Sequence, residues 1–185
     1  MKLILASQSP RRQELIKLLN IPVRVQVADI DETMDADKPV YDEVARVSLL
    51  KALAIGETED VIVAADTVVV CDDRVLGKPK DEEDAFRMLS MLSGRTHQVM
   101  TGLSVVQGDR QLSTTEVTDV TFRKLTDDEI WAYIKTKDPM DKAGSYGIQS
   151  GAALFVQGIC GDYFNVVGLP VCRLGQLLRE LEELK

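Results

Sequence analysis

Two stretches of this chain carry charged side chains that folding alone does not call for. The first is Leu3–Arg12, LILASQSPRR. An apolar run, read as a buried strand, leads into Ser7, Gln8 and Ser9. Pro10 then suits the first position of a helix, where its missing N–H is not needed. Arg11 and Arg12 fall in the first helical turn, against the partial positive charge of a helix N-terminus. An anion docking on the arginines, the free backbone N–H groups and the two hydroxyls accounts for the pattern. A solvated arginine pair on an ordinary strand-to-helix turn is the alternative. The second stretch is Val61–Val70, VIVAADTVVV, whose near-continuous apolar run implies a strand buried on both faces of an α/β sheet. Asp66 inside it would be costly to bury unpaired. It must meet a cation, a metal ion or water, unless it sits at an exposed strand end bonded to a turn. Ligands in such sheets gather at strand ends, which makes Asp66 the sharpest candidate for chemistry, with the Thr67 hydroxyl beside it.

Asp31 and Glu32 form a second acidic centre. Hard oxygen ligands suit Mg²⁺ or Mn²⁺, which take one or two carboxylates together with substrate phosphates; a solvated acidic loop has the same composition. Lys51 lies among Leu49, Leu50, Ala52 and Leu53, where a lone lysine ordinarily extends to solvent. Lys78, in Gly77-Lys78-Pro79, is held on a stiff turn. Lys142 and Gly144 belong to a Gly-rich loop whose backbone could wrap a ligand. Gln149 closes that loop with an amide that donates and accepts at once. It matches the edge of a uracil or thymine ring, and a glutamine that stabilises its own loop is the plain alternative. Neither G-x-x-x-x-G-K-[ST] nor G-x-G-x-x-G occurs, so neither a Walker A loop nor Rossmann dinucleotide binding is expected. Ser7 and Ser9 lack the G-x-S-x-G setting of a nucleophilic serine. His97, the single histidine, reads as a structural or surface residue.

The elements that must position these residues alternate. After the first strand come a helix from Pro10 to about Leu19, a strand from Val23 to about Ala28, and an acidic loop to Pro39. A helix from Val40 to Ile55 follows, with Val44, Val47 and Leu50 inward. Beyond the strand at 61–70, Asp72-Asp73 turns into a short arm, Arg74–Leu76, and Asp81 caps a helix to Leu92. Strands at about His97–Val106 and Leu112–Phe122, a helix opened by the Thr126/Glu129 capping box, and a loop from Lys135 to Gly151 come next. A strand over Ala152–Ile159 and a helix over Pro170–Glu183 close the chain. This order predicts an α/β fold, a mixed central sheet flanked by helices, in one domain over residues 1–185. At 185 residues the chain is long enough for one sizeable core. With a net charge of -8 it is a poor partner for bulk nucleic acid, and its apolar runs are too short to span a membrane. Three cysteines without C-x-x-C spacing suggest neither a disulfide framework nor zinc, and a reduced, cytoplasmic setting is expected.

Taken together, a cationic turn, two acidic centres, several lysines and a Gly-rich loop are the kit for metal-assisted hydrolysis of a polyphosphate. At this point the sequence resembles the Maf nucleotide pyrophosphatases, also described as septum-formation inhibitor-like proteins. The likeness is carried by LASQSPRRQEL (5–15), the acidic pair at 31–32, Lys51, AADTVV (64–69), GKP (77–79), LSGRTHQVMTG (92–102), MDKAGSYGIQ (140–149) and GDYFNVVGLP (161–170). The resemblance implies an elongated two-lobed fold, similar to inosine triphosphate pyrophosphatases, with a nucleotide cleft. It also implies a homodimer, a divalent metal cation such as Mg²⁺ or Mn²⁺, and hydrolysis of a nucleoside triphosphate to the monophosphate and pyrophosphate. It places the proton acceptor at Asp66, which with Glu32 would hold the metal, and phosphate or metal contacts at Ser7, Arg12, Lys51, Lys78 and Lys142. Arg11, Thr67 and Gln149 resemble the branch that acts on dTTP, UTP and related modified pyrimidine nucleotides, removing non-productive or damaged ones from the pool. The family's usual acidic residue before the Lys51 position is Leu50 here. A purine or 7-methyl-GTP pyrophosphatase, and a nucleotide-sensing regulator of cell division that acts by binding, are the alternatives.

Overall fold

The computed structural model describes residues 1–27 and 29–183. Its elements are β1 (Leu3–Leu5), α1 (Pro10–Ile16), β2 (Val23–Val25), α2 (Val40–Leu53), β3 (Val61–Cys71), β4 (Arg74–Leu76), α3 (Glu82–Leu92), β5 (Thr96–Gln107), β6 (Arg110–Phe122), α4 (Asp127–Ile134), β7 (Val156–Cys160), α5 (Tyr163–Val167) and α6 (Val171–Glu183). The strands make a mixed sheet in the order β2-β1-β3-β5-β6-β7, with β4 paired to β3. The chain folds as two compact units. One comprises the described residues of Met1–Thr67, Thr101–Glu116 and Gly168–Lys185, the other Val68–Met100 and Val117–Val167. Among the described residues no helix is long and apolar enough to cross a membrane.

The first unit is built on parallel pairing. β1 lies between β2 and β3, with Leu3 opposite both Val23 and Val61 and Leu5 opposite both Val25 and Val63. β1 then stops, while β3 runs on to Cys71. The Ser7–Arg12 turn and Asp66 therefore both follow the carboxyl end of the β1 ladder, where open α/β sheets bind ligands. Side chains alternate along β3. Ile62 and Ala64 join Ile4, Ala6, Ala52 and Val106 in one apolar cluster, and burial of a side chain such as Ile62 contributes roughly 1.5–3 kcal/mol. Asp66 continues that face, the one covered by α2, and Thr67 points to the opposite side.

α2 does not present the stripe expected of it. Val44 and Val47 are buried, but Leu50 is 37% exposed, and Glu43, Ser48 and Ala52 take the inner face. At about 3.6 residues per turn, Lys51 falls within roughly 20° of Val44 around the axis and Leu50 roughly 120° away. Polar residues occupy this face because each has a partner. Ser48 Oγ donates to the Ala45 carbonyl or shares its proton with Ser104 Oγ. Glu43 takes two bonds from Arg46 and one from the Asp35 N–H, which hold its carboxyl at about 2.

The second unit turns at Asp72 and Asp73, both at positive φ, into the β3–β4 hairpin. α3 is capped by Asp81, whose carboxylate accepts the Asp84 N–H at 2.7 Å, and buries Ala85, Met88, Leu89 and Leu92. The expected Thr126/Glu129 capping box opens α4. His97, Phe122, Tyr146, Phe155 and Tyr133 form a chain of edge-to-face rings. His97 is a buried structural residue within it, and burial holds its imidazole down at about 4.

Three further expectations are corrected. β2 spans Val23–Val25, and Val25 and Val27 are exposed; Ala28, the expected end of that strand, lies outside the described residues. The segment 135–151 is ordered by 3₁₀ turns at Asp138–Asp141 and Ala143–Ser145. The strand expected at Ala152 begins at Val156, because Gly151–Leu154 closes another 3₁₀ turn through local bonds such as Phe155 N–H to the Ala152 carbonyl. α5 was not expected from the sequence.

Candidate active site

In the first unit the anion-seeking turn folds around Arg12. Ser9 caps α1, its hydroxyl accepting the Arg12 N–H at 3.4 Å. α1 has only seven residues, so the arginine's placement owes more to its side-chain anchors than to the helix. The guanidinium donates from Nε to the Gly168 carbonyl at 2.7 Å, from Nη1 to Ser7 Oγ at 3.3 Å, and from Nη2 to Thr67 Oγ1 at 2.9 Å. Gly168 sits at φ 121, a backbone conformation that side-chain-bearing residues seldom adopt; its carbonyl points at Nε. Arginine carries five N–H donors, so one N–H on each terminal nitrogen remains for a ligand. A guanidinium with donors to spare suits a phosphate or carboxylate. Ser7 Oγ accepts twice, from Arg12 and from the Ser9 N–H at 3.2 Å. Both its lone pairs are then engaged, and its proton is left to donate outward.

Burial lowers the Arg12 pKa from its ordinary value; Asp66 opposes this, Arg11 adds to it and Glu32 opposes it. The guanidinium stays charged all the same, since arginine cannot be deprotonated in a protein. It is a desolvated cation held by neutral oxygens, with no carboxylate bonded to it among the described residues.

On the α2 side of β3, Lys51 does not extend to solvent. Its side chain is 13% exposed, and Nζ lies 2.6 Å from Asp66 Oδ1 and 3.1 Å from Glu32 Oε1. Asp66 is 9% exposed in mid-strand, so the buried carboxylate has found the cation it needed. Glu32 reaches in from the acidic loop with its side chain 59% exposed. That loop is fastened to α2 by the Asp35 N–H on Glu43 at 2.7 Å and by Arg46 Nη2 on the Thr33 carbonyl at 2.9 Å.

Among the described residues no three His, Cys, Asp or Glu side chains gather as a metal cage. Asp66 and Glu32 do converge on one positive charge. Two hard carboxylates fit Mg²⁺ or Mn²⁺ in the mode where substrate phosphates complete the shell; they do not fit zinc, which favours nitrogen and sulfur ligands.

The structure thus brings Ser7, Arg12 and Thr67 into one cluster and Glu32, Lys51 and Asp66 into another, both in the first unit. Arg11 is half-buried beside the first cluster in sequence. Lys78, Lys142 and Gln149 belong to the second unit. Lys78 is exposed on its turn, and the Gly144 N–H ties the Gly-rich loop to that turn through the Gly77 carbonyl at 3.0 Å. Gln149 is exposed at the loop's far end. Lys142 differs from the other lysines. Its Nζ donates to the Asp138 carbonyl at 2.7 Å, to Asp138 Oδ1 at 3.0 Å and to Asp141 Oδ1 at 2.7 Å. Burial would raise the Asp138 pKa, but bonds from Ser150, Tyr133 and Lys142 hold it below its usual value. Gly168, Asp138 and Thr101, the last bonded to Thr67 at 2.9 Å, escape a reading of the sequence by residue chemistry. The signal available was a polar residue inside an otherwise apolar strand for Thr101, and a lone glycine before Leu169-Pro170 for Gly168.

A family model described as Maf-like protein matches residues 2–181. The chain belongs to the Maf family. Among curated relatives, it is 49% identical over 183 residues to the dTTP/UTP pyrophosphatase of Bacillus cytotoxicus, covering 98% of this chain and 96% of that protein. It is 45% identical to the dTTP/UTP pyrophosphatase of Bacillus cereus strain G9842, with the same coverage of each chain. Among solved structures, it is similar to the Staphylococcus aureus Ham1 protein at 15% identity and a TM-score of 0.46, over 66% of this chain and 72% of that one. A score that low leaves the fold to be read from the sheet itself. In this Maf chain Leu50 faces outward, and Lys51 is fixed by Asp66 and Glu32 instead of by a neighbour in sequence.

Proposed function

We propose that this protein is a nucleoside triphosphate pyrophosphatase that hydrolyses dTTP and UTP to the monophosphate and pyrophosphate. The observation that carries the reading is Asp66, a buried carboxylate whose Oδ1 is taken by Lys51, in a unit that also holds a desolvated arginine with two donors to spare. Arg12, with the Ser7 hydroxyl, grips the triphosphate. Lys51 holds Asp66 by Oδ1, which leaves Oδ2 to accept the proton of the attacking water as its oxygen bonds to the α-phosphorus. The bond from that phosphorus to the bridging oxygen breaks, and the electron pair leaves with pyrophosphate. A divalent cation held by Asp66, Glu32 and phosphate oxygens would neutralise charge that develops on the triphosphate. Arg11, next to Arg12 in the chain, helps select the base. Lys142, with its ammonium fully engaged, serves its own loop.

The names of the relatives support the substrate class, and the donor set supports the metal. Pyrophosphate release from dTTP, UTP, ITP and 7-methyl-GTP in Mg²⁺ or Mn²⁺ tests the reading. Turnover of dTTP and UTP ahead of the purines is expected, and no turnover of either overturns the substrate. Asp66→Asn should lower kcat about 10³-fold; a rate like that of the unaltered protein would overturn the role of Asp66.

A further inference from the structure

Thr67 stands in the trio that the family resemblance ties to base choice, yet its hydroxyl is engaged elsewhere. It accepts from Arg12 Nη2 at 2.9 Å. It cannot donate in return, because a guanidinium has no acceptor. Its other short contact is Thr101 Oγ1, also at 2.9 Å. Thr101 is fully buried on β5, and β5 is tightly packed at that point. The next residue, Gly102, lies so close to α2 that an added Cβ would stand 2.0 Å from the Val44 carbonyl oxygen. The strand backbone therefore packs directly on the helix that carries Lys51, and Thr101 is the residue before that close contact.

From this we propose that Thr101 is a positioning residue for phosphate binding. It orients the Thr67 hydroxyl, which orients Arg12, so that the two unused N–H groups of the guanidinium face the triphosphate. Thr67 then acts on the phosphate end of the nucleotide through Arg12. The inference rests on the reading of Arg12 as a phosphate ligand given above. Two features support a relay over ordinary packing. The chain Arg12–Thr67–Thr101 runs from a charged, ligand-ready group to a buried hydroxyl without a gap. In addition, the other two anchors of Arg12, the Gly168 carbonyl and the Ser7 hydroxyl, bind Nε and Nη1, so only Thr67 restrains Nη2 among the described residues.

The test uses a base-free probe, inorganic pyrophosphate, as an inhibitor of dTTP and UTP hydrolysis by the full chain. Thr101→Val keeps the shape and removes the hydroxyl. It should raise the inhibition constant of pyrophosphate about fivefold, the scale of one lost hydrogen bond between neutral groups. It should lower kcat/KM for dTTP and UTP by a similar factor, with the ratio between the two nucleotides unchanged. Thr101→Ser should restore both. In an Arg12→Ala background Thr101→Val should add nothing, since residues acting as one unit are not additive. Should Thr101→Val fail to fold, Thr101→Ala, which also removes the hydroxyl, carries the same expectation. A pyrophosphate constant unchanged in Thr101→Val, or a loss that adds in full to that of Arg12→Ala, overturns the proposal. Arg12→Ala by itself separates the two levels. If it leaves pyrophosphate inhibition intact, the phosphate role of Arg12 and the relay both fall; if it weakens inhibition while Thr101→Val does not, only the relay falls.

Discussion

Arg12 and Lys142 are both largely buried cations on motif loops, one in each unit, and their surroundings differ in kind. Arg12 is held by a carbonyl and two hydroxyls. Those partners are neutral, so they fix the guanidinium without cancelling its charge, and two of its five N–H groups stay open. Lys142 is held by one carbonyl and two carboxylates. Three acceptors match the three protons of an ammonium, and nothing is left to offer. The difference teaches how a site cation can be told from a structural one. On the proposed reading, Arg12, kept for an incoming anion, is anchored by dipoles, whereas Lys142, which closes its loop, is anchored by opposite charge. Lys51 stands between these cases. Its two carboxylates, Asp66 and Glu32, are the ones proposed above to hold a divalent cation, and on that reading its pairing belongs to the chemistry.

The same substitution at both cations puts this contrast at risk. Arg12→Met should lower kcat/KM for dTTP about 10³-fold, in the range measured for loss of a preorganised donor to developing charge, with little change in the unfolding midpoint. If the midpoint falls instead and kcat/KM holds, Arg12 is a structural cation and the contrast collapses.

Acid supplies the next largest effect and acts on the second unit. The chain's one histidine, His97, is buried there, with its pKa depressed to about 4 against an ordinary 6.5. Between those values the unfolded chain binds a proton that the folded chain refuses, so stability rises with pH across that window. The contribution is complete above about pH 6.5 and is lost progressively as pH falls towards 4, to a total of about 3 kcal/mol. Urea unfolding at pH 7 and pH 5 should show the loss, and His97→Phe should flatten that part of the profile. An unaltered slope in His97→Phe would show that another group carries the acid sensitivity.

How much of this was legible in the sequence depends on whether a residue's partner is near it in the chain. The strand around Asp66, the Thr126/Glu129 box and the Asp81 cap all follow from local pattern, and the structure has them. That a buried Asp66 needs a cation, a metal ion or water was also legible, because desolvation of a carboxylate is costly wherever it sits. Which cation was not. Apolar periodicity turned Leu50 inward and Lys51 outward, whereas α2 buries Glu43, Ser48 and Lys51, polar residues whose partners Arg46, Ser104 and Asp66 make that burial affordable. The Thr67–Thr101 contact joins residues 34 apart, and the Arg12–Gly168 bond joins residues 156 apart. No spacing rule reaches that far. The 135–151 segment read as open loop because its order comes from side chains on Asp138, not from a repeating apolar face.

That segment gives the smallest effect and the finest discrimination. Lys142→Met removes three hydrogen bonds but leaves Asp138 with two others, from Tyr133 at 2.5 Å and from Ser150. The carboxylate is therefore not left bare. The loss should be about 1–2 kcal/mol of stability, well below that of stripping a buried charge of every partner. Lys142→Met should also leave the KM for dTTP within about twofold, since an ammonium with no free proton makes no new bond to phosphate. Calorimetric unfolding and steady-state kinetics on the same preparation separate the two quantities. A KM raised tenfold with an unchanged midpoint would mean that Lys142 leaves Asp138 and Asp141 for the nucleotide. Anchoring by carboxylates would then be a resting position of a site cation, and anchor type alone would no longer sort Arg12 from Lys142.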